Sequence, residues 1–189
     1  RVRRWLGADM HVVTGPQEAE LAYVGARLAV RGAGPVIVMD IGGGSTELVR
    51  GNAEGPQAAV SMDIGVVRHQ ERDMPSDPPT AAEQARVVDE TRDTAAEAFA
   101  VIGAGAPIVG VAGTMTSLSA IALGGYDPVR VHGSELTIEQ IAEITTRLRP
   151  MRLSERRSVP GLHPDRAPAI AAGGKNALGV LPAAQADRV

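Results

Sequence analysis

The sequence predicts an α/β domain in which helices flank a mixed β-sheet. Three observations carry this prediction. A short apolar segment runs into three consecutive glycines and out into an extended segment (36–51), a second apolar segment leads through a glycine into a helix (108–123), and two amphipathic segments begin with capping-box residues (81–102 and 138–148). Strand and helix patterns that alternate along one chain are typical of a layered α/β architecture.

The composition bounds the class of protein. The 189 residues are 44% hydrophobic but only 2% aromatic, so the core must consist of Val, Ile, Leu and Ala. A net charge of −3 gives no basis for holding a nucleic acid by bulk charge. The absence of Cys excludes disulfides and thiolate metal sites. No apolar run approaches a membrane span and no signal-peptide pattern is present, so we expect a cytoplasmic protein without membrane or nucleic-acid partners.

The N-terminal part predicts a short strand and a helix. Residues 10–14 are an apolar run. The helix should begin at residues 15–18, where a proline suits the first helical position and an acidic residue suits the first turn. It should end near 32–35, where glycines and a proline interrupt the pattern. The predicted apolar face comprises Leu21, Val24, Leu28 and Ala29.

The glycine-rich segment predicts a β-hairpin whose tip can bind a phosphate. A buried strand over 36–39 ends at Asp40, a loop follows at 42–45, and residues 46–50 are extended again. Glycines can take positive φ and bring backbone N–H groups close to an oxyanion. A P-loop and a dinucleotide fingerprint both open a helix, whereas here a strand follows, which is typical of the phosphate loop of actin-like folds. The alternative is a glycine-rich turn without a ligand.

The middle of the chain predicts a third strand and a long helix. The strand covers 57–62, with turns at 63–65 and a loop at 73–79. Thr80 and Glu83 form a capping box that begins a helix running to about Ile102. Its predicted apolar positions are Ala81, Ala85, Val88, Ala95, Phe99 and Ile102. Its predicted solvated face carries Arg86, Asp89, Glu90, Arg92 and Asp93.

A second glycine turn follows another buried strand. Residues 108–112 are apolar, Gly113 and Thr114 follow, and a helix is predicted over 115–123. The free N–H groups of a helix N-terminus can receive an oxyanion, although many such turns are only connections.

The C-terminal part predicts one clear helix and one weak helix. Thr137 and Gln140 cap a helix that runs through Leu148 with Ile138, Ile141, Ala142 and Ile144 on its apolar side. Residues 149–165 form a basic connection. Asp165 is the predicted cap of a last helix over 166–181, which Pro168 and the glycines at 173–174 weaken. The whole order is typical of a ribonuclease-H-like lobe of the actin-like ATPase superfamily, with a mixed sheet and flanking helices.

Several segments resemble one known family. The hairpin segment 40–49 and the preceding segment 14–26 resemble the exopolyphosphatase and guanosine-pentaphosphate phosphatase (Ppx/GppA) family. Further segments that are similar to the family are 61–68, 112–118, 131–137 and 161–167. Local departures are Pro16, Gln17, Glu20, Pro168 and Lys175, and they put the last helix in doubt more than the site.

The resemblance implies a set of site residues. Glu18 matches the family's catalytic glutamate, which activates the attacking water, whereas the residue pattern alone favours a helix-dipole role for it. Asp40 matches the loop aspartate that is implicated with Mg²⁺ and the terminal phosphate. The implied phosphate-binding residues are Gly42, Gly43, Gly44, Ser45, Gly113 and Thr114.

The resemblance also implies a domain organisation. Residues 1–189 are expected to form a single domain, the second lobe of such a phosphatase, with the first lobe and the extreme C-terminus absent. Because the family's active site lies between two lobes, we expect the polypeptide to hydrolyse its substrate poorly alone.

Four functions remain open on the sequence. The first is Mg²⁺-dependent release of terminal phosphate from inorganic polyphosphate, and the second uses the same site on guanosine pentaphosphate. The others are a nucleotide-binding lobe of a sugar kinase or chaperone-like ATPase, and a non-catalytic binding module. The expected partner is therefore polyphosphate or guanosine pentaphosphate, and a homodimer is an open alternative for the assembly.

Other polar residues carry weaker hypotheses. Arg68 faces either phosphate or solvent, and Lys175 is a minor candidate for phosphate binding. The four histidines, His11, His69, His132 and His163, show no metal-ligand spacing and are interpreted as ordinary polar residues.

Overall fold

The computed structural model describes residues 5, 7–9, 13–30 and 32–189. Its sheet contains strands β1 (Val36–Ile41), β2 (Thr46–Asn52), β3 (Gly55–Met62) and β4 (Ile108–Val111). The strand order is β3-β2-β1-β4. The pairs β1–β2 and β2–β3 are antiparallel, whereas β1–β4 is parallel. The predicted hairpin, third strand and mixed sheet are therefore confirmed.

Eight α-helices surround this sheet within the described ranges. They are α1 (Gly15–Arg27), α2 (Val66–Arg72), α3 (Ala81–Ile102), α4 (Ala112–Ala122), α5 (Pro128–Val131), α6 (Ile138–Leu148), α7 (Leu153–Arg156) and α8 (Ile170–Ala183). A 3₁₀ turn covers Pro164–Arg166. No helix among the described residues is long and apolar enough to cross a membrane.

The two faces of β1 pack against different partners. Ile37, Met39 and Ile41 belong to the main core, which the residues of α3, α4, α6 and α8 complete. Val36 and Val38 belong to a smaller cluster with Ala19 and Tyr23 of α1. Because side chains alternate along a strand, Asp40 lies on the α1 side.

Helix α1 buries a different face from the predicted one. Leu21, Val24 and Leu28 are 63%, 50% and 87% exposed. Ala19 and Tyr23 are buried instead, and the Tyr23 hydroxyl donates to the Asn52 carbonyl oxygen at 2.9 Å. The helix also ends at Arg27, earlier than predicted. The contact with the sheet and this long-range hydrogen bond outweigh the local apolar pattern. Of the strand predicted over 10–14, residues 10–12 lie outside the described residues, and Thr14 is the N-cap of α1.

Helix α3 has the predicted bounds and cap but a shifted N-terminal face. The Thr80 hydroxyl accepts from the Glu83 N–H at 3.2 Å, and the Glu83 carboxylate accepts from the Thr80 N–H at 2.6 Å. Ala95, Phe99 and Ile102 are buried as predicted. At the N-terminal end, however, Ala81 and Ala85 are exposed and Val88 is half-buried. The residues buried there are Glu83, Gln84, Val87 and Thr91, because polar partners satisfy the buried polar groups.

Helix α8 is the central helix of the main core, and its glycines are contact points. A Cβ atom at Gly173 would lie 2.6 Å from the Thr114 methyl group, and one at Gly174 would overlap the Thr145 methyl group. Pro168 precedes the helix, so it does not interrupt it. Asp165 lies in the 3₁₀ turn and does not cap α8, whose N-cap is Ala169. Gly173 and Gly174 weakened the prediction of this helix, yet they allow α8 to approach α4 and α6 closely.

Three short helices occupy segments for which the sequence analysis predicts no helix. They are α2, α5 and α7. Helix α4 also begins at Ala112, three residues before the predicted start, and Ala112 has a φ of 62°. Gly113 and Thr114 therefore lie in the first turn of α4. Helix α6 has the predicted capping box and extent.

Candidate functional site

The glycine loop presents backbone N–H groups to the surface. The N–H of Gly42 donates to the Ser45 carbonyl at 3.0 Å and closes the turn. The carbonyls of Gly42 and Gly43 face the start of α2, where the N–H groups of Val66 and Val67 donate to them at 2.9 Å each. The N–H groups of Gly43, Gly44 and Ser45 donate to no described residue. They are therefore free to receive an anion.

Close contacts limit side chains at only part of this loop, chiefly at Gly42. None of Gly42, Gly43 and Gly44 has a φ in the left-handed region, in contrast to the conformation that the sequence suggested. A Cβ atom at Gly42 would lie 3.2 Å from the Ser45 carbonyl oxygen, and one at Gly43 would lie 3.4 Å from Val67. Gly44 has open space around its Cβ position. The neighbouring turn is tighter, because a Cβ at Gly65 would overlap the Gly43 carbonyl.

Three carboxylates meet beside the loop. Asp40 of β1 is paired in register with Glu47 of β2, and both lie on the side of the sheet that α1 covers. Burial, and then the charges of Glu47 and Glu18, raise the pKa of Asp40 above its ordinary value. Glu18 is exposed in the first turn of α1. The Ser61 hydroxyl donates to Glu47 at 2.8 Å, which fixes that side chain. The structure thus brings Glu18 and Asp40 into one electrostatic cluster.

This cluster fits a hard divalent cation. Neither Asp40 nor Glu18 forms an ion pair with any residue in the described ranges. Carboxylate oxygens are the ligands that Mg²⁺ prefers, and it commonly uses one or two of them together with water and substrate phosphates. A cation at the half-buried Asp40 would also relieve the repulsion that raises the pKa of this group.

The second glycine turn is joined directly to the first loop. The buried Thr114 hydroxyl donates to the Ile41 carbonyl at 2.8 Å, at the point where β1 enters the loop. Because β1 and β4 are parallel neighbours, their carboxyl ends lie at the same edge of the sheet. Ligands of open α/β sheets bind at this edge. Gly42–Ser45 and Gly113–Thr114 are therefore brought together, with Thr114 acting as the link between them.

Arg166 lies over the second turn and was not predicted as a site residue. A Cβ atom at Gly113 would overlap its guanidinium group, so the absence of a side chain at Gly113 admits the arginine. A groove of about 430 Å³ adjoins it and is lined also by Tyr126 and His163. The sequence gives no signal for this position beyond its place in segment 161–167, because 53 residues separate Arg166 from Gly113.

The other candidate residues lie elsewhere or have other partners. The Arg68 guanidinium donates to the Gly44 carbonyl at 3.1 Å and to Asp63 at 3.3 Å, so it supports the loop from the α2 side. Lys175 is half-buried in α8, and burial, followed by the charge of Arg149, lowers its pKa. His132 and His163 are exposed, and His11 lies outside the described residues. His69 is fully buried.

Comparisons with known proteins show which family this chain resembles. The model of the Ppx/GppA phosphatase family matches residues 1–186. The chain is 40% identical over 176 residues to "Exopolyphosphatase 2" of Mycobacterium tuberculosis, covering 88% of this chain and 54% of that protein. It is 32% identical over 152 residues to a guanosine-5'-triphosphate,3'-diphosphate pyrophosphatase of Vibrio atlanticus, covering 78% of this chain and 30% of that protein.

A solved structure shows the same fold. The crystal structure of the Aquifex aeolicus Ppx/GppA family member superposes with a TM-score of 0.88 at 32% sequence identity. The match covers 100% of this chain and 62% of that chain. The chain thus spans about half the length of the exopolyphosphatases that it matches.

Proposed function

The chain belongs to the Ppx/GppA phosphatase family, and on this premise we propose that it provides the base and one phosphate loop of a site that releases terminal phosphate from inorganic polyphosphate. The observation that carries the proposal is the convergence at the end of β1. Unpaired loop N–H groups, Asp40 and Glu18 all lie at that edge of the sheet.

The loop holds the terminal phosphate in this proposal. The N–H groups of Gly43, Gly44 and Ser45 donate to its non-bridging oxygens, and the half-buried Ser45 adds a hydroxyl. The Arg166 guanidinium at the second turn attracts the preceding phosphates of the chain. Both loops are held in place by the hydrogen bond from Thr114 to Ile41.

Glu18 acts on the attacking water. Its carboxylate is exposed at the edge of the loop, where it orients a water molecule and accepts one of its protons as the water oxygen attacks the terminal phosphorus. The bond between that phosphorus and the bridging oxygen breaks, and the bridging oxygen stays with the leaving polyphosphate. The products are orthophosphate and a polyphosphate chain one unit shorter. A Mg²⁺ ion bound through Asp40 would neutralise negative charge on the phosphates.

Replacing Glu18 tests the assignment of the base. We expect Glu18→Gln to lower the rate of orthophosphate release from long-chain polyphosphate by at least about 100-fold, since a positioned base typically contributes 10²–10⁴-fold. The matched control is Glu20→Gln, two residues away, where the side chain is also exposed. The assay uses the gene product that contains this chain. Equal rates for Glu18→Gln and the unchanged protein would exclude Glu18 as the base.

A second candidate substrate is guanosine pentaphosphate. The observation that favours it is Tyr126, which is 67% exposed and lines the groove beside Arg166. An exposed aromatic ring next to a cationic group can stack on a nucleobase whose phosphates reach the loops. The relative from Vibrio atlanticus, named for a guanosine substrate, agrees with this alternative.

Tyr126 distinguishes the two substrates. If a guanine stacks on the ring, Tyr126→Ala should weaken turnover of guanosine pentaphosphate roughly 5–150-fold, because base–aromatic stacking contributes about 1–3 kcal/mol. Turnover of polyphosphate should stay unchanged, because polyphosphate has no base. Steady-state kcat/KM for both substrates provides the measurement. A parallel loss with both substrates would show that Tyr126 has no nucleobase-specific role, and turnover of ATP alone would favour the kinase-like alternative.

A further inference from the structure

A buried histidine between α2, α3 and α8 has one ring nitrogen without a partner. The His69 side chain is 0% exposed, and its Nδ1 atom lies 2.7 Å from the Oδ1 atom of Asn176. An amide oxygen only accepts hydrogen bonds, so in the neutral ring Nδ1 carries the proton and Nε2 presents a lone pair. Nε2 is buried and has no hydrogen-bond partner among the described residues. Native structures seldom leave such an atom unsatisfied.

Two carboxylates face this lone pair. Oε2 of Glu90, on α3, lies 3.8 Å from Nε2 of His69. Asp73, the residue that follows α2, completes the group, and one oxygen or nitrogen from each of the three side chains lies within 4.8 Å of the others. His69 and Asp73 are four positions apart in the sequence, and Glu90 comes from another helix, so a search for spacing among the histidines alone did not indicate this group.

One arginine is shared between the two carboxylates. The Arg72 guanidinium lies 2.6 Å from Glu90 and 2.9 Å from Asp73, while Arg86 contacts only the backbone carbonyl of Asp73 at 3.2 Å. The Arg72 side chain is 49% exposed, so it can turn outward without disturbing the core. The cluster thus holds two acidic groups, one half-exposed cation and an unused imidazole nitrogen.

We propose that His69, Asp73 and Glu90 form a binding site for a divalent transition-metal ion such as Zn²⁺, with Arg72 displaced to solvent. One imidazole nitrogen and two carboxylate oxygens are a donor set that zinc accepts at about 2.0–2.2 Å, which places ligand atoms about 3.4 Å apart in a tetrahedral site. The His69 and Glu90 ligand atoms are 3.8 Å apart, and all three separations are within 4.8 Å, so binding would draw the side chains closer together. Water could complete the coordination, because the Glu90 side chain is 40% exposed.

The second contact of His69 supports this assignment. Histidines that bind metals almost always donate their other ring N–H to a carbonyl or carboxylate oxygen, which fixes the tautomer. Asn176 provides such an oxygen, and it is itself fully buried in α8. The site therefore has a preformed ligand of the correct tautomer.

The metal ion would link α2 to α3. Its ligands on α2 lie further along the helix than the N-terminal residues that contact the glycine loop. The N-terminal N–H groups of α2 hold the carbonyls of Gly42 and Gly43, and His69 lies in the next turn. An ion at this site would therefore fix the element that supports the loop. None of its ligands belongs to the proposed phosphate site, so this inference stands independently of the proposed function.

Cobalt binding tests the site directly. We expect the metal-stripped chain to bind Co²⁺ with a visible d–d absorption, displaceable by Zn²⁺, and we expect His69→Gln to weaken this binding at least about 100-fold, since loss of even an outer partner costs 10–100-fold. The exposed His132 provides the matched control, and His132→Gln should bind like the unchanged chain. Working in an Asp40→Asn background removes any contribution from the proposed Mg²⁺ site.

Two further variants keep the test independent of folding. Glu90 is on the half-exposed rim, so Glu90→Gln should lose Co²⁺ affinity while the buried His69 stays in place. Arg72→Gln removes the competing cation and should bind Co²⁺ more tightly, with a lower midpoint in the absorption titration. The proposal is overturned if the unchanged chain and Arg72→Gln bind no Co²⁺, or if His69→Gln and Glu90→Gln bind it as tightly as the unchanged chain does.

Discussion

Asp40 has to be ionised to hold a cation, yet its surroundings favour the protonated form. It is half-buried and faces the charges of Glu47 and Glu18. A carboxyl group whose pKa is raised in the folded protein contributes stability below its ordinary value of 3.8, and this contribution is lost as the pH rises through the raised value. At neutral pH without a cation, Asp40 therefore lowers the free energy of unfolding.

Substitution of Asp40 should consequently stabilise the metal-free chain. We expect Asp40→Asn to raise the Tm at pH 7 by about 1–3 °C, because partial exposure keeps the gain below about 1 kcal/mol. At a pH near 4 the difference from the unchanged chain should shrink. Added Mg²⁺ should raise the Tm of the unchanged chain but not that of Asp40→Asn. Differential scanning calorimetry provides the measurement, with the exposed Asp93→Asn as the control. A lower Tm for Asp40→Asn at pH 7 would contradict this account.

Helix α8 shows how one element depends on residues that disfavour it locally. Glycine weakens an isolated helix, but Gly173, Gly174 and Gly179 each face a threonine of a neighbouring helix at a distance that no Cβ atom can share. The gain in close packing outweighs the loss of helix propensity. The buried face of α8 also includes Asn176, which reaches His69.

Gly174→Ala should therefore destabilise the fold. An added methyl group would overlap Thr145 of α6, and overpacking of a core costs about 1–3 kcal/mol, against about 0.5–1 kcal/mol gained in helix propensity. We expect a net decrease in the free energy of unfolding, measured by urea denaturation. Gly125→Ala is the control, because its Cβ position is open and its φ is negative or extended. An equal or greater stability of Gly174→Ala would show that α8 can shift away from α6.

The sequence predicts those elements whose signals are local. The hairpin, the third strand and the capping boxes at Thr80 and Thr137 lie where the pattern indicated, because strand alternation and capping depend on near neighbours. The prediction of the buried face of α1 was wrong, because packing against the sheet decides which side of the helix is covered. Arg166 over Gly113 and Thr114 on Ile41 join residues far apart in the chain, so no local signal indicates them.

At the scale of the whole molecule, the described chain presents one face of a site. The glycine loop is exposed at Gly43 and Gly44, and the groove beside Arg166 does not include it. Electrostatic catalysis depends on enclosing the reacting phosphate away from water. The related exopolyphosphatases are about twice as long as the region that this chain matches.

We therefore predict that the 189-residue polypeptide binds polyphosphate but hydrolyses it slowly. Orthophosphate release by this polypeptide should be at least about 100-fold slower than release by the gene product that contains it, in line with the loss of transition-state donors. Binding is measured separately by titration with a short polyphosphate, so that a slow rate is not mistaken for an unfolded chain. Equal rates for the two proteins would show that one lobe is sufficient.

The alternation of β1 has a consequence for how such a sequence can change over evolutionary time. Asp40 faces α1 because alternate side chains of the strand, starting from Val36, point to that side. Ile37, Met39 and Ile41 point to the other side and fill the core. Deleting or inserting one residue before Asp40 would turn the carboxylate into the core and the isoleucines toward α1. A point substitution in this strand can affect either the core or the site, whereas a change of one residue in its length affects both. We expect lineages with this site to conserve the length of the strand more strictly than its residues.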